Sequence, residues 1–422
     1  MLPNTISLIV FIACYILFVL FPTRRSLAAA VGAIALLMTG TLSLPQAFFV
    51  INWNVMGIFV GTLVVADMFM ESRVPAWLAE IIVDKARNTA QAIVLICMLT
   101  GFISAFVENV ATVLIVAPIA LELARKLKIN PSAMMIGIAV SSNLQGAATL
   151  IGDPPSMLLA GFTKMNFLDF FFYQGKPGIF FAVELGAMFS FLFLYFLYRH
   201  HSEKTAIVPV ESVRSWTPTL ILVLLIVALA LSSFLDTGFS CMAGIMCMIA
   251  AVLCIVWAKV CHRASIIHGI KNLDWDTTFF LMGVFILVGS ITETGWIERI
   301  SQSLSALIGS NIFLGYTLLV FLAIVVSAFV DNVPFLAAML PVALSMSEKL
   351  GISPSLLLFG LLIGASLGGN VTPIGATANI VACGLLKKEG YPVTFPQFMK
   401  IGIPFTVAAV LPASVFIWLV WG

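Results

Sequence analysis

The feature that most constrains this chain is that part of it occurs twice. Sliding the sequence by 223 residues lays 104–161 over 327–384 without a gap, and 21 of those 58 positions are identical. The matches include the string SAFV, Asn109 with Asn332, Pro118 with Pro341, Pro131 with Pro354, Gly137 with Gly360, Thr149 with Thr372 and Gly152 with Gly375. Apolar composition inflates chance identity at Leu, Val and Ile, but it does not produce ungapped Pro and Gly, so the two stretches read as copies of one structural unit. Upstream, Asn52-Trp53 pairs with Asp274-Trp275 at an offset of 222.

Composition decides which solvent those copies fold in. With 61% hydrophobic residues, 9% charged residues and a mean hydropathy of +1.12 over 422 residues, that solvent is mostly lipid. Ten stretches are of a length suited to crossing a bilayer: 5–22, 27–43, 53–71, 131–163, 177–198, 218–235, 240–259, 276–293, 354–386 and 399–420. Two further apolar runs, 90–124 and 312–347, would each be about 50 Å long as one straight helix, so each is expected to double back as a re-entrant hairpin.

The expected architecture is an all-α polytopic membrane protein of two inverted repeats of five spans each. The first repeat covers 1–198, with hairpin 90–124 and broken helix 131–163. A cytoplasmic linker follows at 199–217, and the second repeat covers 218–422, with hairpin 312–347 and broken helix 354–386. Five crossings per half is an odd number, which turns the second copy upside down, a recurrent plan of secondary transporters. With both hairpins re-entrant, 17 of the 21 Lys and Arg residues fall on one side of the membrane. The positive-inside rule makes that side cytoplasmic and places both termini outside a cell (inner) membrane.

Non-helical backbone at membrane depth persists only where protein or water satisfies its free amides and carbonyls. Four places break the helical pattern: the tips FVENVAT (106–112) and FVDNVPF (329–335), and the stretches QGAATLIGDPPS (145–156) and GGNVTPIGATAN (368–379). Related by the repeat, they are expected to meet at one midplane site, where half-helix N-termini suit anionic or polar groups and carboxylates suit a cation or proton. Glu108 and Asp331 are equivalent acids at the tips, and with Asn109 and Asn332 they form a candidate Na+ site. The remaining candidates for solute or ion contact are Thr112, Asn143, Thr149, Gly152, Asp153, Ser156, Asn370, Thr372, Gly375, Thr377 and Asn379. Asp153 also suits a helix cap, and buried Asn or Thr residues suit simple interhelical ties. Asp67 and Glu184 lie inside spans without repeat partners, as cavity-facing or relay groups.

Other classes fit poorly. A net charge of +2 without a basic run offers nothing to nucleic acid. The seven cysteines lack a CxxC spacing and read as packing residues, although Cys247, Cys254 and Cys261 recur every seven residues and would put thiols on one helix face. The spans contain no nucleophile–base or metal cluster, so an enzyme is not expected, and no cofactor beyond H+ or Na+ as coupling ion is required. No ATP-binding loop is present, so direct ATP drive would need a separate ATPase subunit.

At ENVATVLIVAPIA (108–120), ATLIGDPPSMLLAG (148–161), FVDNVPFLAAMLP (329–341) and GGNVTPIGATANIVACG (368–384) the chain resembles the ion transporter superfamily. It is most similar to the arsenite efflux (ArsB-like) branch, which also resembles the pigmentation P protein and plant silicon exporters. That resemblance implies an elevator-type homodimer whose moving part contains both hairpins and both broken helices. It implies ion-coupled export of a small inorganic solute such as arsenite, antimonite or silicate, with a Na+/H+ antiporter or a dicarboxylate or citrate symporter as alternatives. In the related divalent anion/sodium symporters the tips carry Ser-Asn-Thr. Here they read Glu108-Asn109-Val110 and Asp331-Asn332-Val333, a departure that counts against dicarboxylate and favours a carboxylate-based proton or sodium site. A second departure is Ser156, where the branch commonly has Asn; its repeat partner Asn379 keeps it.

Overall fold

The structure, a computed structural model, describes residues 3–127, 129–200, 212–262, 273–308 and 311–422. The first half of the chain forms α1 (Pro3–Leu20), α2 (Arg25–Met38), α3 (Leu44–Val50), α4 (Trp53–Glu71), α5 (Val74–Asp84), α6 (Thr89–Ser104), α7 (Asn109–Leu127), α8 (Ser132–Gly146), α9 (Pro154–Thr163) and α10 (Ile179–Tyr198). The second half forms α11 (Thr217–Leu235), α12 (Met242–His262), α13 (Trp275–Glu293), α14 (Trp296–Ile308), α15 (Ile312–Ser327), α16 (Asn332–Leu350), α17 (Pro354–Gly368), α18 (Thr377–Lys388) and α19 (Phe395–Trp421).

Helix starts recur with the sequence offset because their caps do. Asn88 accepts a hydrogen bond from Gln91 N at 2.9 Å to open α6, and Asn311 accepts one from Leu314 N at 3.0 Å to open α15, 223 residues later. Asn52 caps α4 through Val55 N at 3.1 Å, and Asp274 caps α13 through Thr277 N at 2.9 Å. In each case a short polar side chain satisfies one of the orphan amides of a first helical turn. α7 and α16 both begin at the Asn of the tip, and α9 and α18 begin at equivalent positions, 154 and 377.

The end of α16 lies against the helix that leads into α15. Lys349, at the end of α16, donates to Glu298 O at 2.8 Å and to Ser301 Oγ at 2.6 Å, and both acceptors lie on α14, which leads into α15. The halves interlock reciprocally: α4 packs on α12, α13 on α2, α10 on α19, α7 on α18 and α16 on α9. Outward faces of α1, α11 and α12 leave large apolar side chains such as Leu20, Leu231 and Val252 exposed, as lipid contact requires.

Nineteen α-helices lie among the described residues, and nine are long and apolar enough to cross a membrane. The expected span 27–43 is not among these nine. α2 is only 14 residues long, ending before the turn at Gly40, and the chain then starts α3 with a Ser43–Gln46 capping box. α3, α5 and α14 are short and were not expected, and a two-stranded ribbon pairs Phe172–Tyr173 with Lys176–Pro177 within an otherwise helical fold. Much of the linker at 199–217 lies outside the described residues.

Candidate functional site

Each half builds the same joint. α6 stops at Ser104 and α7 starts at Asn109; α15 stops at Ser327 and α16 starts at Asn332. Beside each tip runs a helix break, between Gly146 and Pro154 and between Gly368 and Thr377. Thr149 donates its hydroxyl to Ala105 O, and Thr372 donates its own to Ala328 O, so one identical bond fastens each break to its tip. The backbones there approach too closely for a side chain. A Cβ on Gly152 would lie 2.4 Å from Gly146 O, and one on Gly375 would lie 2.6 Å from Gly369 O.

The two joints face a shared cavity of about 60 Å³, room for a few waters or a small ion. The N-termini of α7, α9, α16 and α18 all open onto it. Seven expected site residues line this space: Glu108, Asn109, Asn143, Asp153, Asp331, Asn332 and Thr377. Three polar lining residues were not anticipated as site residues: Arg25, Asp274 and Thr277. In the sequence Arg25 is one of the 17 basic residues that set the topology, and Asp274 is the repeat partner of Asn52.

Charge in the cavity is unbalanced, with four carboxylates (Glu108, Asp153, Asp274, Asp331) against one guanidinium. Arg25 is ion-paired with Asp331, donates to Thr277 Oγ1 at 2.9 Å, lies 3.7 Å from an Asp276 oxygen and covers the Phe280 ring at 4.8 Å. Thr277 in turn donates to Asp274 at 2.6 Å. Glu108 and Asp153 form no ion pair among the described residues. Glu108 accepts from Ala111 N at 3.0 Å, and Asp153 accepts from Ser156 N at 3.1 Å through Oδ1, each capping its own helix. The other Asp153 oxygen is buried with no hydrogen-bond partner. Positive helix ends offset part of this negative charge, but each supplies only about half an elementary charge.

The remaining expected residues serve the framework. Thr112 donates back to Glu108 O at 3.1 Å, Ser156 donates to Gly146 O at 3.3 Å, and Asn379 donates to Gly369 O and Thr372 O, each at 2.9 Å. Asn143 donates to Asn370 Oδ1 and Asn379 Oδ1, both at 2.9 Å, and Asn370 donates to Val140 O at 3.1 Å, which ties the halves together behind the cavity. Thr112, Thr149, Gly152, Ser156, Asn370, Thr372, Gly375 and Asn379 therefore shape the cavity without lining it. Asp67 and Glu184 do not line it either. The cysteine stripe does not reach it: Cys247 and Cys254 are buried in packing and Cys261 is exposed.

Comparison with known proteins agrees with this architecture. An uncharacterised transporter of Mycobacterium tuberculosis is 27% identical over 429 residues, covering 99% of this chain and 98% of that one. The P protein of Sus scrofa is 23% identical over 493 residues, covering 96% of this chain and 58% of its own length. Among solved structures, the Alcanivorax borkumensis YdaH transporter superposes with a TM-score of 0.63 at 15% identity, over 91% of this chain and 87% of that one, a likeness of fold. The model of the citrate transporter family CitMHS matches residues 15–346 and, again, 240–421. This chain belongs to the CitMHS citrate transporter family and is a multi-pass secondary transporter.

Proposed function

We propose that this transporter exports a small polyhydroxylated acid in its uncharged form, of the arsenite, antimonite or silicate class, in exchange for H+ or Na+ carried on Glu108. The observation that carries this reading is the cavity itself: about 60 Å³ of space facing four carboxylates and one already paired guanidinium. A free oxyanion meets repulsion there, whereas a neutral hydroxylated solute finds acceptors on the carboxylates and donors on Asn109, Asn332 and the open N-terminus of α18. A cation or proton on Glu108 offsets the excess charge.

The proposed cycle is alternating access of elevator type, with the two hairpins and two broken helices moving together in a homodimer's subunit. The reciprocal packing of α4 on α12 and α13 on α2, and the matching helix starts at one offset, support reading the halves as inverted repeats. The membrane is the cell membrane, with both termini outside, from the distribution of Lys and Arg.

The family description favours a second solute, citrate. Three carboxylates added to an acidic cavity require accompanying cations and a wider conformation of the site. Proteoliposome uptake of arsenite, silicic acid and citrate, the last with and without a divalent cation, under imposed H+ or Na+ gradients separates the readings. Gradient-driven arsenite or silicic acid flux is the expected result. Flux of citrate alone would replace the oxyacid reading by the second one.

A further inference from the structure

The two tips carry equivalent acids, yet only one of them faces an open position. Asp331 is covered by Arg25, a residue 306 positions away on α2, and that guanidinium is held from three more directions by Thr277, Asp276 and the Phe280 ring. Its side chain is 15% exposed, so it is a fixed part of the wall and not a solvated charge that happens to lie near. On the other side, Glu108 and Asp153 both line the cavity and have no cationic side chain paired with them among the described residues, and one Asp153 oxygen is buried without a hydrogen-bond partner there. A buried carboxylate oxygen without a donor is stable only when a proton or a cation completes it.

We infer that Arg25 is a tethered cation filling the ion position of the second tip, so that a single exchangeable cation site remains, built from Glu108, Asn109 and the free oxygen of Asp153. This rests on the reading that H+ or Na+ drives transport. A site of two carboxylates and an amide suits one monovalent ion, and among the described residues no group of three or more His, Cys, Asp or Glu could hold a metal. Arg25 is accordingly a positioning residue: it fixes how many ions a cycle takes, not which solute is carried.

The test removes the tethered charge and then its partner. Arsenite and citrate uptake are measured in proteoliposomes against the driving cation, with size-exclusion profiles confirming folded protein. Wild type should respond to one cation, with a Hill coefficient of about one. Arg25→Gln uncovers Asp331, so uptake should need about thirtyfold more cation and its response should steepen toward two ions. Arg25→Lys, which keeps the charge while losing the guanidinium's other contacts, should keep the one-ion response even if its uptake rate falls. Adding Asp331→Asn to Arg25→Gln should restore a one-ion response within a few fold of wild-type uptake, because the vacated position no longer carries a charge. A double variant no better than Arg25→Gln, or a two-ion response in wild type, overturns the tethered cation while leaving ion coupling intact. Wild-type uptake indifferent to both gradients instead overturns the coupling reading on which it rests.

Discussion

The two hairpin tips have the same backbone plan and opposite electrostatic states. In each, a helix stops at a Ser, four residues turn, and a new helix starts at an Asn, with a Thr hydroxyl from the neighbouring break closing on the carbonyl of the Ala that caps the preceding helix. Around the acids the resemblance stops. Asp331 is paired with Arg25, whereas Glu108 accepts from backbone amides and has no ion pair among the described residues. The neighbouring Asn residues differ in the same sense: Asn109 accepts from Ser104 at 2.6 Å and is 9% exposed, whereas the Asn332 side chain makes no hydrogen bond among the described residues and Ser327 turns instead to Ala365 O. Copying a fold twice thus supplies two similar frames, and their charges differ through Arg25, outside the repeated segment, and through Asp153, whose repeat position holds Ala376.

The largest expected effect breaks this comparison at its chemical end. Glu108→Gln removes one of the two carboxylates of the proposed exchangeable cation site, so uptake should fall by about a hundredfold and lose its dependence on the driving gradient, the full size of a typical ion–solute coupling. Asp331→Asn should lower uptake less and keep the gradient dependence. Initial-rate measurements at matched protein density in liposomes check both. Equal losses in the two variants would mean that the tips act as equals and that the Arg25 pair has no bearing on function.

The frame, in contrast, should respond equally in both halves. Gly152→Ala and Gly375→Ala each force a methyl against a carbonyl oxygen, at 2.4 and 2.6 Å respectively, on backbone that is itself fastened to a tip. Each should cost about 1–3 kcal/mol, the usual penalty for overpacking, read as a lowered melting temperature of the purified protein. A loss in one half only would show that the joints differ mechanically as well as electrically.

These contrasts mark what a sequence can disclose. Tips, breaks and helix starts were legible because Gly, Pro, Asn and Thr have narrow backbone uses, and finding them twice at one offset removes most coincidence. The roles of Thr149, Thr372 and Asn379 were not, since a hydroxyl or amide that could bind a solute is equally good at satisfying a nearby carbonyl, and only the fold says which is closer. Arg25 was invisible for another reason. Beside Arg24 in a polar turn it looks like a topology marker, and nothing in 306 intervening residues announces Asp331 as its partner. The short helices α5 and α14 escaped because 11 and 13 residues fall below any spanning window.

The smallest expected effect concerns an ion pair that resembles the Arg25 pair on paper. Arg125, at the end of α7, reaches Glu389 beyond the end of α18 and so also joins the two halves. It has no repeat counterpart: the equivalent positions hold Glu348 and Asn166. Its side chains are 64% and 37% exposed, against 15% and 25% for Arg25 and Asp331, so water and salt screen it and the entropy of ordering two long side chains offsets most of the attraction. Arg125→Ala should therefore shift stability by no more than about 0.5 kcal/mol and leave uptake and its ion response unchanged. A shift in the number of driving ions on removing Arg125 would mean that bridging the halves, and not occupying the cavity, is what gives a cation its role in this protein.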